Sequence, residues 1–304
     1  GVIAVDYEEE GRRIRIPKHR GVGQEDGTHG LEIREDGVDV YPALRPNTQD
    51  RTFDPDQLPS GIENLDTLLD GGLERGTVTV ITGPSGIGKS TTATEFLQTA
   101  ADNGDSPIAY LFEESIELFS YRAQSFDIPV SELREAQKMT VEEIPPLTFS
   151  PEEFGDMVKR QVQAEDADLV VIDGLKGYRS SIKGGAETID LQERLHALTR
   201  YLVNQNVTVI LIDEHHEVTG LTQPTGSSIS YLADNLLYEK FRGSRGEFQR
   251  IVGVLKKRVG AFETTPRQFQ ITSEGLDVGN PLTQLDGVLD TAPDTNTGSS
   301  EPER

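Results

Sequence analysis

The chain has 304 residues, enough for one large α/β domain with appendages or for two smaller domains. With no cysteine it excludes disulfide frameworks, thiolate nucleophiles, zinc ribbons and iron–sulfur clusters. It also lacks the roughly 18 consecutive apolar residues of a membrane-spanning helix, so no membrane partner and a cytoplasmic location are expected. Its 52 acidic residues against 29 basic ones give a formal net charge of −23, a field that repels nucleic acid unless a local basic patch offsets it.

The first predicted elements are short strands over Val2–Tyr7, Arg12–Pro17, Leu31–Arg34 and Val38–Tyr41, the last following an Asp36-Gly37 turn. A constant offset of 238 residues brings the two ends of the chain into register. Lys18-His19-Arg20 falls on Lys256-Lys257-Arg258, Glu32-Ile33 on Gln270-Ile271, and Gly37-Val38-Asp39-Val40 on Gly275-Leu276-Asp277-Val278. The second copy follows a complete α/β pattern and the first follows nothing. Residues 1–46 therefore read as the closing strands of an upstream domain, and residues 47–57 as a linker within the proline-containing stretch Arg45–Ser60. Residues 58–285 read as a complete domain, and residues 286–304 as a polar, acidic, disordered tail.

Inside residues 58–285 strands and helices alternate. Thr77–Thr82 reads as a β-branched strand and Ser90–Ala101 as a helix. Ile108–Phe112, Leu169–Asp173 and Val207–Ile212 are near-continuous apolar runs, which suits strands of a parallel sheet buried on both faces. Leu191, Leu195, Leu198 and Leu202 fall at helical spacing and read as core. Strands return at Asn235–Phe241, Phe248–Lys256 and Gln268–Thr272. The expected fold class is α/β, with a mainly parallel central sheet and an antiparallel β extension.

The chemistry concentrates in Gly83-Pro84-Ser85-Gly86-Ile87-Gly88-Lys89-Ser90, with Thr91 next in the helix. This is the full eight-residue phosphate-loop pattern, placed between a predicted strand and a predicted helix. Its glycines let successive N–H groups point inward, and the helix N-terminus adds its positive end, which makes a cradle for phosphates. Lys89 supplies a point charge to them and Ser90 a hydroxyl to Mg2+. A magnesium-side carboxylate is expected at the end of a neighbouring apolar strand. Asp173 is preferred over Asp213, which, with Glu214, either senses the γ-phosphate or begins a loop. Glu113-Glu114 follows another strand and can orient or deprotonate an attacking water. The residues together imply ATP as ligand, Mg2+ as cofactor, and hydrolysis.

Leu58-Pro59-Ser60-Gly61-Ile62-Glu63-Asn64-Leu65-Asp66, Gly71-Gly72-Leu73, the loop Gly83–Ser90 and Leu111-Phe112-Glu113-Glu114-Ser115 together resemble the KaiC branch of the RecA-like P-loop ATPases. The similarity extends over nearly the whole chain. The family closes each of two RecA-like domains with Lys-x-Arg-Gly, which Lys18-His19-Arg20-Gly21 matches. Lys256-Lys257-Arg258 matches it except that Val259 replaces the glycine. The resemblance implies a homo-hexameric ring with ATP at subunit interfaces, Glu113 and Glu114 facing the γ-phosphate. Lys256 and Arg258, and Lys18 and Arg20 in the first copy, would act on the neighbour's site.

In one family member the second domain phosphorylates itself on a Ser-Thr pair. Ser230 occupies the first position here, Tyr231 replaces the Thr, and no clock role is carried over. A regulatory switch with an unidentified protein partner is the first reading. A DNA-dependent recombination or repair ATPase and a non-hydrolysing nucleotide-gated interaction module are the alternatives; the acidic charge argues against the former. The spread of acid and the preference for Arg over Lys resemble proteins of salt-loving archaea. His215-His216 reads as a loop pair rather than a metal site. Gly174–Gly185, with Lys176, Arg179 and Lys183, is the most basic predicted loop.

Overall fold

The computed structural model describes residues 1–8, 11–20, 27–44, 56–181, 188–214, 229–244 and 247–282. Four strands open the chain, β1 (Val2–Glu8), β2 (Gly11–Lys18), β3 (His29–Arg34) and β4 (Gly37–Tyr41), and they form an antiparallel meander of their own. A two-residue strand β5 (Gln57–Leu58) then pairs with β6 (Leu73–Glu74) across helix α1 (Glu63–Leu68). Gln57, predicted to lie in the linker, is therefore part of a small sheet.

The main domain continues with β7 (Val78–Gly83), α2 (Lys89–Asn103), β8 (Pro107–Leu111), α3 (Ile116–Gln124), α4 (Val130–Glu135) and β9 (Thr140–Glu143). There follow α5 (Pro151–Glu165), β10 (Leu169–Asp173), α6 (Leu175–Ser181), α7 (Thr188–Asn204) and β11 (Thr208–Glu214). The chain closes with β12 (Asn235–Ser244), β13 (Glu247–Lys257), β14 (Arg267–Thr272) and β15 (Gly275–Pro281).

Nine of these strands make one sheet, ordered β15-β14-β13-β12-β7-β11-β10-β8-β9. From β12 to β9 all neighbours are parallel, and β13 to β15 add antiparallel. This is the mixed α/β architecture, mainly parallel with an antiparallel extension, that the sequence pattern and the RecA-like resemblance imply.

Two cores cover the two faces. Helices α1 to α4 pack Leu65, Phe96, Phe119 and Leu133 on one side, against Ile81, Leu111 and Leu237. On the other, α5 to α7 pack Phe154, Tyr178, Leu195, Leu198 and Leu202 against Val80, Tyr110 and Leu211. Burial on both faces explains why β7, β8, β10 and β11 are near-continuous apolar runs.

Several predictions need correction or restriction. The basic segment after Gly174 is not a loop at its start: Leu175–Ser181 is α6, because Leu175 and Tyr178 bury one side of it in the core. Its remainder, with Lys183, lies outside the described residues, as do His215, His216, the tail and most of the linker. Helix α5 and strand β9 have no counterpart among the predicted elements. Helix α5 starts on a serine N-cap, with Ser150 Oγ accepting from Glu153 N at 3.2 Å and Pro151 in the first turn.

The N-terminal meander docks on α5. Arg13 meets Glu152 at 3.1 Å, Arg194 of α7 meets the same carboxylate at 2.7 Å, and Arg34 reaches Glu153 at 2.6 Å. Strands β3 and β4 fall on β14 and the first residues of β15 at the offset read from the sequence.

Candidate functional site

Parallel register decides which residues meet. Asp173 pairs with both Leu111 and Ile212, and Glu214 pairs with Gly83. The ends of β7, β8, β10 and β11 are thereby aligned, and the residues following them converge at the carboxyl edge, where open α/β sheets bind ligands. There a cavity of about 460 Å³ is lined by the loop residues Ser85, Gly86 and Gly88 to Thr91, together with Glu113, Asp173 and Glu214.

The loop leaves β7 at Gly83 and enters α2 at Lys89, with Gly86 and Gly88 at φ of 73° and 140°, conformations that favour glycine. A β-carbon at Gly83 would collide with the carbonyl of Glu239, so that position is also sterically closed. The Lys89 ammonium donates to the Pro84 carbonyl at 2.8 Å. Burial pulls its pKa below the usual lysine value, opposed by the charges of Glu239, Glu214, Asp173 and Asp213.

Ser90 Oγ donates to Asp173 Oδ1 at 3.1 Å. Burial pushes the Asp173 carboxyl up to about 6, against the Ser90 hydrogen bond and with the help of Glu114. Asp213, the competitor for the metal role, is wholly buried and does not line the cavity, whereas Glu214 does and stands 3.8 Å from Lys176.

The two carboxylates after β8 diverge. Glu113 lines the cavity and accepts from Gly177 N at 2.9 Å. Gly174 and Gly177 make room for it: a β-carbon on either would come within 2.8 Å of its Cγ. Glu114 turns toward α3 and pairs with Arg122 at 2.6 Å.

Lys256 and Arg258 do not line this cavity. Both are tied to the turn that holds Ser230: Lys256 Nζ donates to the Ala233 carbonyl at 2.6 Å, and Arg258 pairs with Asp234 at 2.9 Å. Between them Lys257 is buried in an ion pair with Glu74 at 2.8 Å, which anchors the segment. Lys18 ends β2 and Arg20 follows it, both exposed and remote in sequence from the loop.

Arg122, Phe126, Arg250 and Ile271 also line the cavity and were not singled out by sequence reasoning. Nor was Glu239, whose carboxylate lies beneath the loop. Its signal was present: Leu237, Glu239 and Phe241 alternate onto one buried face, and only the middle one is charged.

Comparison with known proteins gives the family. The family model described as ATPase: KaiC matches residues 58–283. The circadian clock protein KaiC3 of Synechocystis sp. is 26% identical over 294 residues, covering 96% of this chain and 57% of that relative. The circadian clock oscillator proteins KaiC of Acaryochloris marina and Nostoc sp. are 23% and 24% identical, each over 93% of this chain and 53% of the relative. The chain thus spans about half the length of the curated relatives it matches. With the phosphate loop, its strand order and a family match over most of its length, the chain belongs to the KaiC family of ATPase domains.

Proposed function

We propose that this chain binds ATP at Gly83–Thr91 and hydrolyses it with Mg2+, acting as a nucleotide-driven regulatory switch in a homo-hexameric ring. The observation that supports hydrolysis best is the approach of Ser90, Asp173 and Glu113 around one cavity beside Lys89. Ser90 Oγ and the Asp173 carboxylate are adjacent hard oxygen donors, a set that fits Mg2+; bound there, the ion would neutralise charge on the transferring phosphoryl group.

The chain's own residues do the rest. Backbone N–H groups and Lys89 hold the phosphates. Glu113, fixed by Gly177 N, orients the attacking water and takes its proton, while Glu114 is held aside by Arg122. Lys256 and Arg258, which do not line their own cavity, act on a neighbouring subunit's phosphates as positive charge supplied in trans.

The test is ATP turnover by wild type, Lys89→Ala and Glu113→Gln. Lys89→Ala should lose nucleotide binding. Glu113→Gln should bind normally but turn over at least about 100-fold more slowly. Turnover by Glu113→Gln at the wild-type rate would sink the assignment of the water-activating base. Autophosphorylation of Ser230 predicts one added phosphate by intact mass after incubation with ATP and Mg2+; no mass gain would remove it.

A further inference from the structure

Beneath the phosphate loop the structure holds a carboxylate that the proposed reaction does not use. Glu239 on β12 is 1% exposed, and its Oε1 accepts the Thr92 hydroxyl of α2 at 2.6 Å. Its Oε2 is buried with no hydrogen-bond partner among the described residues. That oxygen points at the loop: a β-carbon on Gly88 would sit 3.4 Å from it.

The groups facing it can be named element by element. Helix α2 presents Lys89 and the Thr92 hydroxyl, and β13 presents Arg250, whose Nε is likewise buried and unpartnered. Strand β14 presents only apolar side chains, Phe269 and Ile271, which converge with Oε2 beneath Gly88. The carboxylate therefore has attractive charge on two sides and apolar side chains on a third. Among the carboxylates that act on Lys89, Asp173, Asp213 and Glu214 end strands at the carboxyl edge, and Glu239 alone lies under the loop.

We infer that Glu239 is the counter-charge of the phosphate loop. It balances Lys89 when no phosphate faces that lysine and takes a proton from solvent at Oε2 when nucleotide phosphates do, so that nucleotide binding is accompanied by proton uptake. The inference rests on the reading that Gly83–Thr91 holds nucleotide phosphates. The physical cause is like-charge repulsion at a buried group: phosphates engage Lys89, withdraw its charge from Glu239 and add negative charge above it. Burial already lifts this carboxyl to about 7 against the Thr92 hydrogen bond and the charges of Lys89 and Arg250, so a further rise falls in the neutral range. By linkage, affinity is highest at low pH and falls as pH rises from the free-state value toward the bound-state value.

The experiment is calorimetric titration of the full chain with ADP, from about pH 6 to about pH 8.5, in two buffers of unequal ionisation enthalpy. Wild type should take up roughly half a proton or more beyond the Glu239→Gln variant. Its affinity should fall about tenfold further across the range, one pKa unit of coupling being tenfold in affinity. Gln keeps the acceptor for Thr92. Glu239→Leu, which replaces the carboxyl with an apolar group, should track Gln and serves if that variant does not fold. Equal proton uptake and equal pH slopes in wild type and variants would overturn the inference while leaving nucleotide binding intact. Absence of ADP binding at every pH would defeat the nucleotide reading itself, and this inference with it.

Discussion

Asp173 and Glu239 flank the same lysine, and burial raises both above the usual carboxylate range, to about 6 and about 7. For stability the sign follows from the direction. A carboxyl whose folded pKa is raised above its unfolded value contributes fully at pH below the unfolded value, and that contribution is lost as pH rises through the folded one. For Glu239 the window runs from the ordinary 4.5 to about 7. Glu239→Gln should therefore leave stability unchanged below that window and raise it above by about 3 kcal/mol, at roughly 1.36 kcal/mol per unit. Denaturant unfolding without nucleotide at both ends of the window checks this; a constant difference would show that packing, not ionisation, sets it. At this scale Lys89, Ser90 and Glu113 were legible because their meaning is carried by adjacent residues. The alternation around Glu239 hinted at its burial, but its place under the loop and that of Arg250 were not legible, since they join the loop only through sheet pairing, Thr92 to Glu239 being 147 residues apart.

Among the elements, α5 shows how local signals and packing divide the work. Its Ser150-Pro151-Glu152-Glu153 start is a readable cap, yet Glu152 and Glu153 are buried, which no cap rule foresees. Their burial comes from the meander β1 to β4, which sets Arg13 and Arg34 on them, with Arg194 from α7. Both Arg13 and Glu152 side chains are under 5% exposed, so removing one partner strands a buried charge. Glu152→Ala should cost about 3 kcal/mol in denaturant unfolding; a loss under about 0.5 kcal/mol would mark the pair as no more than a surface contact. Strand β9, four residues with two glutamates, escaped prediction because only its edge pairing with β8 makes it a strand.

At the level of the whole molecule, Lys256 and Arg258 do not line their own chain's cavity, and the proposed ring makes the site a shared one. That predicts complementation. Lys89→Ala and Arg258→Ala chains should each hydrolyse ATP poorly, whereas an equal mixture should recover activity. In mixed rings an Arg258→Ala subunit keeps an intact loop and receives Arg258 from a Lys89→Ala neighbour. Mixed rates equal to the average of the separate ones would defeat the trans role.

By itself the sequence determined the phosphate loop, its strand and helix, the α/β class and the strand pair that recurs toward both ends of the chain. Each is written in contiguous residues whose backbone preferences and spacing act locally. Only the tertiary structure decided which carboxylates share the cavity, that Glu113 and Glu114 part company, and that an acid is buried under Lys89. Those outcomes depend on strand order and register, which bring residues far apart in sequence within hydrogen-bond reach and which no local pattern encodes.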